Sequence, residues 1–125
     1  MRHARHYTLE EARERLPWVV EQLASLRDAR ARLTDDEARQ ALADGSPTNG
    51  GGHRGKQVGE AFVELQNGIA GFDRRGIVLR DLDSGLIDFP SIRDEVEVYL
   101  CWIDGESEIA FWHDLDAGYG GRQPL

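Results

Sequence analysis

Three groups of residues carry side chains suited to chemistry. In the first, Trp112-His113-Asp114-Leu115-Asp116, an imidazole and two carboxylates lie close together, a donor set suited to a transition metal or to general acid/base work. The blander outcome is that His113 closes an apolar strand face with one ring nitrogen bonded to a carboxylate or carbonyl. The second group is Asp81, Asp83 and Asp88, in DLDSGLID. Its D-x-D-x-G start is that of a calcium loop, but Gly85 comes one place early and Ile92 stands where the bidentate Glu belongs. An EF-hand is excluded, which leaves a non-standard divalent-cation site or turn capping by Asp side chains. The third is the tail Gly118 to Pro124, where glycines around Tyr119 imply tight turns. There Arg122 can clamp a carboxylate or phosphate bidentately, or pair with a local acid. The candidate metal ligands are thus His113, Asp114, Asp83 and Asp88, and the candidate ligand-binding residues are Trp102, Trp112, Tyr119 and Arg122. A divalent metal ion is the only cofactor these residues suggest, and no catalytic residue is assigned.

The elements that must position these groups read as follows. Thr8-Leu9-Glu10-Glu11 is a capping box that opens a helix over 8–44. Leu9, Ala12, Leu16, Val19, Leu23, Leu26 and Leu33 recur in steps of three and four, a heptad seam interrupted at Arg30. Pro17 predicts a kink near Arg13 to Pro17, or a short first helix. The Gly-rich stretch 45–55 is expected to be a flexible loop. It lacks the spacing of a phosphate-binding loop, and Lys56 is not followed by Ser or Thr. A second helix is expected over 57–75, with Val58, Phe62, Leu65, Ile69 and Phe72 as its apolar stripe. It should run antiparallel to the first, Val58 opposite Leu33 and Phe72 near Leu16. The early turns of the first helix then need another partner, either the sheet or a second copy of the chain.

A small antiparallel sheet is expected over 77–113. Ile77 to Leu82 is one strand, and Leu86 to Phe89 is another that Pro90 stops. Asp104-Gly105 is a strong hairpin signal between strands Glu95–Ile103 and Glu106–His113. A two-residue type I′ turn there pairs Leu100 with Ile109, Val98 with Phe111 and Val96 with His113. Under that pairing Cys101 and His113 fall on opposite faces, so no Cys–His pair forms; a turn of different parity would reverse this. Cys101 reads as a small buried apolar residue, and 114–125 as a C-terminal loop. The sum is one α+β domain, a helical hairpin joined to three or four antiparallel strands.

Composition narrows the partners. The chain has 125 residues, is 40% hydrophobic and 30% charged, and carries a net charge of −8 from 23 acidic and 15 basic residues. Such an acidic chain is a poor general nucleic-acid binder and a poor fit to an anionic membrane surface. A single Cys forms no internal disulfide, no apolar run approaches a membrane span, and the start has no signal-peptide pattern. The expected location is the cytoplasm.

The segments YTLEEARERLP, GIVLRDLDSGLIDFP and EVYLCWIDGESEIAFWHDLDAGYGGRQPL resemble a small bacterial family known as domain of unknown function 2203. The resemblance covers nearly the whole chain apart from 45–55 and implies a helical pair joined to a small sheet. It brings no established activity. Two functions follow from the residues. The first is a non-enzymatic interaction module that homodimerises through its helices, because the seam Leu9 to Leu26 needs a second surface. The second is a divalent-metal- or small-molecule-binding protein, which could be an enzyme, with its site at His113, Asp114 and the Gly-rich tail.

Overall fold

A computed structural model describes residues 1–34 and 53–125. The expected continuation of the first helix past Thr34, and the expected loop as far as residue 52, lie outside the described residues. Helix α1 runs Leu9–Thr34 and α2 runs His53–Arg75. They are followed by β1 (Val78–Asp81), β2 (Leu86–Arg93), β3 (Val96–Ile103), β4 (Phe111–Asp114), a single 3-10 turn at Tyr119–Gly121, and β5 (Gln123–Pro124). The five strands form one antiparallel sheet in the order β1-β2-β3-β4-β5. The architecture is α+β, a helical hairpin on one face of a meander.

The capping box forms. Glu11 accepts the Thr8 N–H at 3.0 Å, and Thr8 Oγ1 accepts the Glu11 N–H at 3.1 Å, satisfying donors that the first helical turn cannot pair. Helix α1 continues through Pro17 to Thr34. The helices are antiparallel: Arg32 pairs with Glu64, Leu26 lies against Gly68, and Trp18 meets Phe72 edge-on at 4.9 Å. Helix α2 begins at His53, earlier than the expected boundary at 57. Its buried side also differs from the expected stripe, because Phe62 and Ile69 are 51% and 45% exposed while Ala61 is fully buried. Gly68 explains the close approach: a Cβ there would lie 2.4 Å from a Leu26 methyl carbon. Small residues let the helix axes approach, and that rotates the bulkier neighbours outward.

The early turns of α1 find their partner in the sheet. Ala12, Val19, Leu23 and Leu26 share one core with Ile87, Phe89, Leu100, Trp102 and Ile109. Pro90 does not stop β2, which runs on to Arg93. A residue's main-chain N and O point to the same side of an antiparallel strand. Pro90 O accepts the Tyr7 N–H at 2.7 Å, so the missing N–H of Pro90 faces the segment before α1 and costs no ladder bond.

The two-residue hairpin with positive φ at both centres falls at Asp94–Glu95 (φ 51° and 67°), between β2 and β3. The expected type I′ hairpin at Asp104-Gly105 does not form. A turn does close there, with Ile103 O accepting the Glu106 N–H at 3.0 Å, but the ladder does not resume after it. Glu106 holds the chain away: its carboxylate accepts the Ile103 N–H and an Arg122 N–H, and its carbonyl accepts the Trp102 indole N–H. Ile109 then buries completely, and β4 starts at Phe111. The pairs are Val98 with Asp114, Tyr99 with His113, Leu100 with Trp112 and Cys101 with Phe111. The expected register is off by an odd number of residues, so every side chain of β4 faces opposite to expectation. The C-terminal segment also differs from a plain loop, since Gln123 and Pro124 pair with Trp112 and Phe111 as β5.

Gly85, in the β1–β2 turn, has φ +70°, and a Cβ there would lie 2.6 Å from the Asp104 Cβ. Its carbonyl also accepts the Asp104 N–H. Gly85→Ala combines backbone strain with a clash, and is expected to cost about 1–3 kcal/mol in urea unfolding.

Candidate metal centre

The sheet has two faces of different character. The inner face, under the helices, takes Ile87, Phe89, Leu100, Trp102 and Trp112. Register puts Asp88 opposite Cys101, and Tyr99 opposite His113, on the outer face. The outer face is polar yet buried: Asp88, Tyr99, Cys101 and His113 are each 2% exposed or less. Cys101 and His113 therefore share a face, contrary to the expected parity. The break was legible only in Glu106-Ser107-Glu108, a polar run without the alternation of a strand.

Burial this deep requires every polar group to be partnered. Asp88 receives Arg80 Nε–H on one carboxylate oxygen at 2.9 Å, and its other oxygen faces His113 Nε2 at 3.0 Å. The other ring nitrogen, Nδ1, lies 2.8 Å from the Asp114 carbonyl oxygen. A carbonyl can only accept, so Nδ1 carries a hydrogen and Nε2 is the nitrogen turned to Asp88. Nε2 and Asp88 Oδ1 are thus in hydrogen-bond contact across the group. Cys101 completes the group. One donor atom from each of Asp88, Cys101 and His113 lies within 4.8 Å of the others. Burial pushes the Cys101 thiol up to about 12, with the charge of Asp88 adding to the effect, so Cys101 is a protonated thiol at neutral pH and no free nucleophile. The three residues could hold a metal ion.

The remaining expected site residues lie elsewhere or act differently. Asp114 contributes its main-chain carbonyl to His113, and its own side chain is exposed. Asp83 pairs with Arg30 of α1 at 2.5 Å, and Asp81 caps the turn by accepting both the N–H and the hydroxyl of Ser84. Trp102 is in the helix-side core, where Trp112 packs against it, and Arg93 lies 4.8 Å from the Trp112 ring centre. The Arg122 guanidinium lies between the rings of Phe111 and Tyr119, at 4.0 and 4.8 Å, and pairs with Glu106 at 2.6 Å. That fastens the tail to the β3–β4 connection. Sequence reasoning missed Cys101 as a partner of His113, and missed Arg80, which only the β1–β2 register brings to Asp88.

An N-terminal arm covers the neighbouring part of this face. The Glu97 carboxylate accepts the main-chain N–H groups of Arg2 and His3 and lies 2.6 Å from His6 Nε2. His3 Nε2 lies 2.6 Å from the Tyr99 hydroxyl, and the Tyr99 ring sits 5.4 Å from that of His113. Burial pushes the Glu97 carboxyl up, but the hydrogen bonds from His6, His3 and Arg2 outweigh it and hold the group at about 2. A depressed carboxyl stabilises the docked arm fully above its ordinary value of 4.5 and loses that contribution as pH falls towards 2. Protection of the Arg2 and His3 amides against hydrogen exchange, taken relative to the intrinsic rate at each pH, should therefore fall across that window, and Glu97→Gln should give the low protection already at neutral pH.

A cavity of about 270 Å³ opens beside the triad. Asp88 and His113 form part of its wall with Arg80, Leu86, Leu115 and Tyr119. No helix among the described residues is long and apolar enough to cross a membrane. A family model described as an uncharacterized conserved protein, DUF2203, matches residues 5–125. No curated protein and no solved structure matches the chain.

Proposed function

The chain belongs to the DUF2203 family of uncharacterized conserved proteins, and from its own residues we propose that it binds a divalent transition-metal ion between Asp88, Cys101 and His113. The observation that carries this reading is the convergence of three buried donor atoms within 4.8 Å of one another. Thiolate, imidazole and carboxylate together suit zinc or a neighbouring metal better than calcium or magnesium, which favour oxygen alone. Three protein ligands leave a position for water or a ligand, as in catalytic rather than structural zinc sites.

The surroundings favour the same reading. The Asp114 carbonyl fixes the His113 ring with Nε2 towards the site, and Arg80 holds the far oxygen of Asp88. Outer contacts of this kind orient metal ligands and raise their affinity. An ion held there would stand in place of the His113–Asp88 hydrogen bond and would displace the thiol proton of Cys101. Binding therefore strengthens as pH rises.

Zinc titrated against a chromophoric chelator should reveal a single site that weakens between pH 7 and pH 6. Cys101→Ser and His113→Ala should each weaken it by more than about tenfold, with circular dichroism confirming that the variants fold. A folded wild-type protein that takes up no zinc, cobalt(II) or iron(II) overturns the reading.

A second reading, self-association through the helices, is favoured by one observation: Phe62 and Ile69 are exposed seven residues apart on one side of α2. The heptad seam of α1 no longer supports it, because the sheet covers that seam. Sedimentation velocity at micromolar concentration should show a dimer that Phe62→Ser with Ile69→Ser dissociates. A wild-type monomer rejects it.

A further inference from the structure

We propose that the cavity beside the triad binds a small monocarboxylate with a hydrocarbon body, its carboxylate held by Arg80 and reaching the bound ion. This inference rests on the metal-binding reading above and specifies what the open position of the ion would take.

The argument starts from Arg80. Its side chain is 40% exposed while its partner Asp88 is 3% exposed, so one end of the pair is sunk in the sheet and the other borders the cavity. The guanidinium spends its Nε–H on Asp88. Among the described residues no second carboxylate pairs with the guanidinium; the one other polar group beside it is the Tyr99 hydroxyl. The edge that remains presents two roughly parallel N–H groups, the fork that matches a carboxylate's two oxygens. Arg80 also lies over the Tyr99 ring, 4.9 Å from its centre, which holds the plane of the fork.

Charge and shape select the ligand class. Asp116 also lines the cavity, but Arg2 pairs with it at 3.1 Å, so its charge is countered. Arg80 is the cation of the wall. With an ion held, Asp88 is drawn to the ion and Arg80 loses part of its counter-charge, so the loaded site attracts an anion. Leu86, Leu115 and the Tyr119 ring supply apolar surface, which suits a hydrocarbon body and ill suits a compact, strongly hydrated phosphate. A volume of about 270 Å³ lies at the small end for ligand pockets, so the occupant is of benzoate size rather than of nucleotide size.

The same carboxylate can reach both groups because the site is bridged already. The two oxygens of Asp88 link the guanidinium of Arg80 to the imidazole of His113. A ligand seated on Arg80 is therefore next to the residues that would hold the ion.

Cobalt(II)-loaded protein, titrated with benzoate and in parallel with inorganic phosphate, tests this through the visible d–d spectrum. Benzoate should perturb the spectrum saturably, and phosphate should not. Arg80→Lys keeps a cation beside Asp88 but removes the fork; at cobalt concentrations that saturate the variant, it should weaken benzoate by about ten- to a hundredfold. Leu115→Trp, which fills the cavity from its wall, should abolish the benzoate response and leave the cobalt spectrum intact. Cobalt uptake without a benzoate response overturns this inference alone, as does phosphate binding as tightly as benzoate, or benzoate binding equally to metal-free protein. A protein that takes up no cobalt overturns the inference together with the metal-binding reading.

Discussion

The carboxylate of Glu106 and the short connection it organises determine what the outer face of this sheet contains. Held by the Ile103 N–H and by Arg122, with its carbonyl on the Trp102 indole, Glu106 keeps residues 104–110 out of the ladder. Strand β4 therefore enters against β3 with Tyr99 opposite His113. Because side chains alternate faces with period two, an odd offset exchanges the two faces of the strand. One connection thus sends Trp112 to the helices and His113 to Asp88 and Cys101. Arg122 extends the same device to the tail, since its stacking between Phe111 and Tyr119 ties the tail segment to the strand it helps to place.

The fold then has a hydrophobic core on one face of the sheet and a buried polar layer on the other. Such a layer is costly unless each group finds its partner, because a buried unpaired charge is destabilising by several kcal/mol. The sequence meets this with reciprocal pairs drawn from distant parts of the chain: Arg80 with Asp88, Asp88 with His113, and the amides of the arm with Glu97. The arm and the tail cover this layer without forming regular elements of any length. A structural role alone would be served as well by apolar residues of similar size, since replacing a buried ionic group in that way is often neutral or stabilising. The meeting of a thiol, an imidazole and a carboxylate at one point, next to a cavity, is the observation on which the proposed binding role rests.

The helical hairpin serves that layer indirectly. By taking the inner face, α1 and α2 leave the outer face to short covering segments, and the cavity lies between those segments and the strands. The close contact at Gly68, with Ala61 buried, also turns Phe62 and Ile69 to solvent. The apolar surface of α2 is thus split between the core and the outside rather than gathered into one stripe.

What the sequence determined by itself was whatever short-range chemistry decides. The capping box at Thr8 and Glu11 and the antiparallel helical pair could be read from residue types and spacing. So could the α+β class and the pairing of Asp81 with its own turn. His113 and Asp88 were also legible as candidates, His113 because imidazole beside carboxylates suits a metal or acid/base work and Asp88 from the acidic turn DLDSGLID. The grouping was not legible. Whether Cys101 joins His113 depends on strand parity, which is set by the side-chain bonds of Glu106 and the burial of Ile109, neither of which a local Asp-Gly signal contains. Whether Pro90 ends a strand depended on what lies beside it, and the Tyr7 segment supplied that. Which residues of α2 face inward depended on how closely two axes approach, and small residues decide this without adding to any apolar pattern. Local propensity fixed the elements, and long-range bonds and packing chose which side chains meet.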